Sequence, residues 1–464
     1  MTLRLAGLWL VLFAVYASTL GLHAFGSSDY GGDEPHYLLT AKSLVDDGDW
    51  DVRNQRAANE WDEFYPYFLD RHGKLTEGRA NEPHGAGFPM LIAPAFALGG
   101  AKAVELFLAA IAALGGVLAY LLALRVVPDP WAIGATLAVT LSPPFIAYGT
   151  AVYPELAAAT ALAGAALLAL RLRDRITRPD AFGCFALLGT LPWLGTKFVP
   201  AGVVIGVLAT RTLWRSRSRM LTLLSLELAL FSLIFYATLN EALYDGPTPY
   251  SADAEGESST DASFPGGYIQ RAYRLVALLI DREFGLLRWA PVFLLAGVGV
   301  WMLVRTRNER LARALPQHAR AEEAALLCSI ALGVQLVVAA FIAPTMFGFS
   351  FPPRHLLAGL LLAVPLVAWG IRRFPRTGAV LAAIGLVGSV WLYADVRWGG
   401  GGLAADRPDA PWGPLEDAFP LFEKGTTVPF VVAGALVLAL AAFCALAWRN
   451  SRQSAGATRA RYSG

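Results

Sequence analysis

Apolar stretches of about 20 residues recur along this chain, with most of the charge gathered between them. That is the length a helix needs to cross the hydrocarbon core of a bilayer. Composition agrees: 56% of the 464 residues are hydrophobic and 16% are charged, against about 25% charged in soluble domains. A soluble enzyme of this size would lack the charge to cover its surface. The same numbers exclude a disordered chain, a collagen-like repeat and a disulfide scaffold. The formal net charge of +2 makes no case for nucleic acid, and no basic stripe carries interleaved aromatics. Cys184, Cys328 and Cys444 all lie in apolar runs and read as small buried hydrophobes.

The apolar runs predict an all-α membrane bundle of about twelve spans, near 5–25, 102–126, 131–149, 154–172, 181–193, 197–213, 219–239, 285–304, 324–344, 355–371, 377–395 and 428–448. The fifth and sixth share one stretch broken around Pro192–Lys197. The first reads as a retained helix rather than a cleaved signal peptide, because its basic leader is weak and its apolar length suits a span. With the N-terminus inside, the basic residues of 171–180, 211–219, 305–320 and 372–376 and of the 449–464 tail all fall on the cytoplasmic side. Acidic residues are few there, and nearly all the others lie on the opposite face.

The whole chain, 1–464, is therefore expected to be one integral membrane domain. Its large external loops would be 26–101, 241–283 and 396–427, with 449–464 as a cytoplasmic tail and no soluble domain before or after the spans. A helix is predicted over Glu34–Val45, and the Ser/Asp/Glu-rich stretch Ser251–Ser263 is expected to be mobile. No internal repeat suggests an inverted-repeat transporter.

Chemistry concentrates at Ser28-Asp29-Tyr30-Gly31-Gly32-Asp33-Glu34-Pro35-His36-Tyr37, just beyond the first span. Two adjacent carboxylates at a helix start complement its dipole, and Pro35 suits a first turn. Gly31 and Gly32 would let the backbone approach a ligand closely. Lys197 interrupts an apolar run, where charge is costly unless paired or used. Arg354, opening a span, has the guanidinium fork that suits a phosphate. Either cation could instead snorkel to the interface. Arg288 is a further cation at a span start. Asp49-Trp50-Asp51 spells a metal-holding acidic motif, but nothing supplies the nucleotide-binding sheet such a motif serves. Gly189–Lys197 lacks the spacing of a phosphate loop. No histidine or cysteine metal signature and no serine-hydrolase motif occurs.

Several of these residues resemble a family. Asp33-Glu34-Pro35-His36-Tyr37-Leu38-Leu39, Ala41, Ser43-Leu44 and Asp47-Gly48-Asp49-Trp50 resemble the first external loop of GT-C membrane glycosyltransferases. The likeness is to the branch of protein O-mannosyltransferases and lipid A aminoarabinose transferases. Pro83-His84-Gly85-Ala86-Gly87-Phe88-Pro89, Tyr153-Pro154-Glu155-Leu156, Gly195-Thr196-Lys197 and Arg354-His355-Leu356-Leu357 follow in family order over about residues 5–375. A lysine common near the end of the family's first loop is replaced by Glu82-Pro83-His84, so the donor-phosphate contact there would fall to His84 or Lys74.

The resemblance implies transfer of a sugar from a polyprenyl-phosphate donor to a lipid, glycan or protein acceptor at the external face. It places Asp33 as the base, with Glu34 beside it, and Glu155 is a further catalytic acid that would hold acceptor or sugar hydroxyls, or a metal. Lys197, Arg354 and Arg288 would hold the donor phosphate, and Tyr37, His84, Tyr153 and His355 the substrates. The chemistry fits independently, since an acceptor hydroxyl needs a positioned base. No cofactor is demanded. A divalent metal on carboxylates is compatible, and family members differ in metal use. A transporter or lipid-linked-sugar flippase is the alternative, though carriers place their polar groups near the bilayer midplane. Here Asp33, Glu155, Lys197 and Arg354 all map to the external boundary.

Overall fold

The structure is a computed structural model. It describes residues 2–73, 75–76, 78–252, 268, 271–308, 316–343, 346, 350–404 and 418–422, with isolated positions between 431 and 442. Eleven of the predicted spans coincide with helices, and the predicted loop helix is present. The twelfth span, the 449–464 tail and most of Ser251–Ser263 lie outside the described residues, as does Cys444. Cys184 and Cys328 are buried free thiols.

In order, the helices that place the site are α1 (Thr2–Ala17), α2 (Glu34–Asp46), α3 (Arg53–Ala57), α4 (Gly87–Leu124), α5 (Trp131–Thr140), α6 (Pro143–Tyr148), α7 (Glu155–Asp174), α8 (Arg178–Leu194), α9 (Val199–Arg215) and α10 (Arg219–Tyr244). Beyond them come α11 (Arg274–Ile280), α12 (Leu286–Trp289), α13 (Leu294–Asn308), α14 (Pro316–Phe341), α15 (Leu357–Arg373) and α16 (Pro375–Trp398). Among the described residues, seven helical stretches are long and apolar enough to cross a membrane, and Thr2–Ala17, Trp131–Thr140 and Pro291–Thr306 are shorter apolar helices. The protein is an integral membrane protein.

Where spans are broken, proline or glycine is the cause. The predicted 131–149 span divides at Ser142, whose extended ψ of 157° precedes Pro143-Pro144. The predicted 285–304 span is interrupted by the short turn Pro291–Phe293. Helix α4 begins at Gly87, well before the expected 102, and bends where Gly99 and Gly100 leave helical geometry. Helices α8 and α9 part at Gly195, whose φ of 155° favours glycine.

Helices α7 and α15 form the buried centre, and α4 packs on both. Helix α7 reads Glu-Leu-Ala-Ala-Ala-Thr-Ala-Leu-Ala-Gly-Ala-Ala, and such small side chains allow the close helix contact that drives association in lipid. Helix α10 lies at the opposite extreme, turning Met220, Leu223, Leu230, Phe231, Ile234 and Phe235 outward. That surface suits acyl chains. The loop after α1 has its own small core of Leu39, Val52, Trp61, Leu69 and Ala80, with the strands Leu75–Thr76 and Arg79–Ala80 paired antiparallel beside it.

Helices α13 and α15 meet backbone to backbone. A Cβ on Gly370 would overlap the Leu295 carbonyl oxygen, and one on Gly299 that of Leu366. We expect Gly370→Leu to lower stability by about 1–3 kcal/mol, the usual cost of overpacking. Thermal unfolding in detergent would read this as a lower Tm, whereas Gly134→Leu, with no described atom within 4 Å of its Cβ position, should leave Tm unchanged.

Candidate active site

Asp33 occupies the position before α2, yet its side chain makes no capping hydrogen bond. The carboxylate turns instead toward residues from distant segments. Oδ2 lies 2.6 Å from Arg354 Nη2, and Oδ1 lies 3.4 Å from His84 Nε2. Arg354 reaches on through Nε to Glu155 Oε1 at 2.9 Å, and Lys197 Nζ donates to the same oxygen at 2.8 Å. His355 Nδ1 is 3.3 Å from Lys197 Nζ. A continuous chain of contacts thus runs His84–Asp33–Arg354–Glu155–Lys197–His355.

Local folding sets this up. Glu155 opens α7, where an acid complements the helix dipole. Lys197 and Arg354 lie in the 3-10 turns Thr196–Phe198 and Arg354–Leu356 that lead into α9 and α15. Cations at helix starts oppose the dipole, so both depend on the carboxylates facing them. Glu155 is fully buried. Its Oε2 has no hydrogen-bond partner among the described residues, which leaves an acceptor available to an incoming donor. Burial would push the Asp33 carboxyl up, but the Arg354 guanidinium and His84 more than reverse this and hold it well below the usual carboxylate range. Asp33 is therefore ionised, and its side chain keeps 27% exposure.

The aromatic candidates line the same place. The Arg354 guanidinium lies 4.1 Å from the Tyr153 ring, a desolvated cation–π contact. Tyr153 donates its hydroxyl to Gly31 O at 2.8 Å. Tyr37 stands edge-on to Tyr153, His84 and Phe88.

Two expected residues are placed differently. Both oxygens of Glu34 are taken by backbone amides, Oε2 by Gly31 N at 2.8 Å and Oε1 by Val152 N at 2.7 Å. Burial pushes its carboxyl up to about 8 against the pull of those amides. Glu34 ties α2 to the segment before α7 rather than facing the chain of contacts. Arg288 is fully buried against Trp289 and donates to the Arg282 carbonyl; no described contact joins it to Asp33 or Glu155. The Asp49 and Asp51 carboxylates are engaged inside the loop. Asp49 accepts from Ser43 Oγ and Asp51 N, and Asp51 from Ala80 N and Arg53.

Sequence reasoning missed the group beside Asp33. His36 Nδ1 donates to Glu82 Oε2 at 3.0 Å, and Arg56 Nε donates to Glu82 Oε1 at 2.9 Å. Burial would raise the Glu82 carboxyl, but the His36 hydrogen bond and the charge of Arg56 bring it down to about 2. Burial brings His36 down to about 4, so the ring is neutral near pH 7. His72 completes the group. The available signal was that four of the chain's six histidines fall between residues 23 and 84.

No protein-family profile matches the sequence. No curated protein matches it either. Solved structures do share its architecture, which is the GT-C fold of membrane glycosyltransferases. The similar structures include ArnT from Cupriavidus metallidurans in its apo state, with a TM-score of 0.51 and 17% identity over 88% of this chain and 67% of that one. ArnT bound to undecaprenyl phosphate gives 0.50 and 16%, over 96% and 73%. The apo oligosaccharyltransferase of Archaeoglobus fulgidus gives 0.42 and 12%, over 89% and 60%.

Because Glu155 balances two cations from inside the protein, Glu155→Ala should cost about 3–5 kcal/mol, as when a buried pair loses one partner. Arg53→Ala, removing a 57% exposed partner of Asp51, should change stability by less than about 1 kcal/mol. Unfolding curves of the two variants beside wild type check the contrast.

Proposed function

We propose that this protein is a membrane glycosyltransferase that moves a sugar from a polyprenyl-phosphate donor to an acceptor hydroxyl, inverting the anomeric centre. The observation that carries the reading is the convergence of Asp33, Arg354, Glu155 and Lys197, remote in sequence, in one chain of contacts none longer than 2.9 Å. The GT-C fold, and an ArnT structure that holds undecaprenyl phosphate, support a lipid-phosphate donor. The basic loops of the sequence support a site on the external face, periplasmic in a bacterial inner membrane, with both termini in the cytoplasm.

In this reading the acceptor oxygen bonds to the anomeric carbon as the bond from that carbon to the phosphate oxygen breaks. The electron pair departs with the polyprenyl phosphate, and the hydroxyl proton passes to Asp33. Arg354 and Lys197 stabilise the leaving phosphate, whose charge rises in the transition state. The site without donor is internally neutralised: Arg354 is shared between Asp33 and Glu155. A donor phosphate draws the guanidinium toward itself, which loosens its hold on Asp33 and makes that carboxylate a stronger base. Activation of the base is thereby linked to donor binding. Glu155, through its unpartnered oxygen, orients a sugar or acceptor hydroxyl. Tyr37, Tyr153, His84 and His355 shape the substrate cavity, and the acceptor is a lipid, an envelope glycan or a protein.

Incubating the purified protein in nanodiscs with a panel of polyprenyl-phosphate sugars tests the reading. Transfer or donor hydrolysis is expected, and Asp33→Asn should lower its rate about 10²–10⁴-fold, the usual worth of a general base, in protein that remains folded. Arg354→Lys, which loses the bidentate fork, should weaken polyprenyl-phosphate binding at least about tenfold in a thermal-shift titration. Absence of both turnover and donor binding across the panel would sink the transferase reading and favour transport.

A further inference from the structure

His36, His72 and His84 come from three separate parts of the loop after α1: the first turn of α2, the approach to the strand pair, and the stretch leading into α4. One ring nitrogen from each lies within 4.8 Å of the others. The His36 ring stacks on His72 at 4.1 Å and on His84 at 4.8 Å. His72 Nδ1 and His84 Nε2 face each other at 3.3 Å. Two nitrogens bound to one tetrahedral zinc at about 2.0–2.1 Å stand at nearly that separation.

The surroundings resemble the outer shell of a metal site more than a packed core. Metal-bound histidines almost always give their second ring N–H to a carboxylate or carbonyl, which fixes the ring and raises its basicity. Glu82 Oε2 is 3.0 Å from His36 Nδ1 and 3.9 Å from His84 Nδ1, so one oxygen stands behind two of the imidazoles. Arg56 anchors the other Glu82 oxygen. With Nδ1–H of His36 directed at Glu82, its Nε2 presents a lone pair. His84 Nδ1 is buried without a hydrogen-bond partner among the described residues, although a carboxylate oxygen lies just beyond bonding reach. Closure of His84 around an ion would bring that N–H onto Glu82.

We propose that His36, His72 and His84 bind one zinc-class divalent ion, with Glu82 as the carboxylate that orients His36 and His84 from behind. An all-imidazole set selects zinc, cobalt or nickel over magnesium or calcium, which prefer oxygen. The ion would clasp the beginning, middle and end of the loop around His84, the neighbour of Asp33. Binding of the ion is independent of the transfer reaction, so this inference and the transferase reading stand or fall separately.

The test uses full-length protein whose affinity tag, free of histidine, has been removed. Metal analysis after purification without chelators, followed by Co²⁺ titration of the metal-stripped protein, should show one ion per chain and the visible absorption bands of tetrahedral cobalt. His72→Ala should weaken Co²⁺ binding at least about 100-fold, and Glu82→Gln about 10–100-fold, the range for outer-shell partners. His23→Ala, whose ring pairs with Asp29 instead, should bind as wild type does. Wild type that takes up no stoichiometric zinc or cobalt overturns the proposal whatever the variants do. So does undiminished binding in a folded His72→Ala protein.

Discussion

The burial of Glu155 is the constraint on which the rest of the site depends. An ionised carboxylate with no exposure is tolerated only where cations and donors compensate its lost hydration. Arg354 and Lys197 both converge on one of its oxygens, and each arrives at the N-terminal end of a different helix. Three helix starts are therefore pinned at one level by a single acid. Neither cation would rest comfortably there alone, because a helix start already carries partial positive charge. In the proposed reading, a phosphate brought to the same place would meet both cations at helix starts whose dipoles also favour an anion.

The helical order was legible because twenty-residue apolar runs have few other uses. The loop helix was equally plain from Asp33-Glu34-Pro35. What the runs hide are interruptions inside them. Ser142-Pro143-Pro144 and Pro291 look apolar enough to count as span, yet proline denies the helix a hydrogen bond at each. At the site, Lys197 and Arg354 stood out because charge at the edge of an apolar run needs a reason, and Asp33 and Glu155 through the family resemblance of the segments that carry them. Adjacency misled for Glu34. The two carboxylates are neighbours in sequence, but at a helix start successive side chains point about 100° apart, and Glu34 found backbone amides instead. The histidine group left no local pattern, since its members are separated by 36 and 12 positions and meet only because the loop doubles back.

Electrostatics divides the site into two neighbourhoods that share an edge at Asp33. On one side Arg354, Glu155 and Lys197 form a nearly dry ion cluster. On the other, neutral His36 and ionised Glu82 hold a polar group together with Arg56. Asp33 retains more access to its surroundings than any of the ion-cluster partners. That difference suits the proposed roles, since a base receiving a proton from an arriving molecule needs access, whereas cations steadying a phosphate act more strongly away from water.

The two hydrogen bonds accepted by Glu34 and the small core of the loop both take hold of α2. The spacing of Asp33 and Glu155 follows from Glu34 gripping Gly31 and Val152, while the outer stretch folds on its own core of Val52, Trp61 and Leu69 beside Leu39 and Ala80. Both fixings run through α2, which carries Glu34 and Leu39 alike, so a change in the outer stretch is felt where the acids stand.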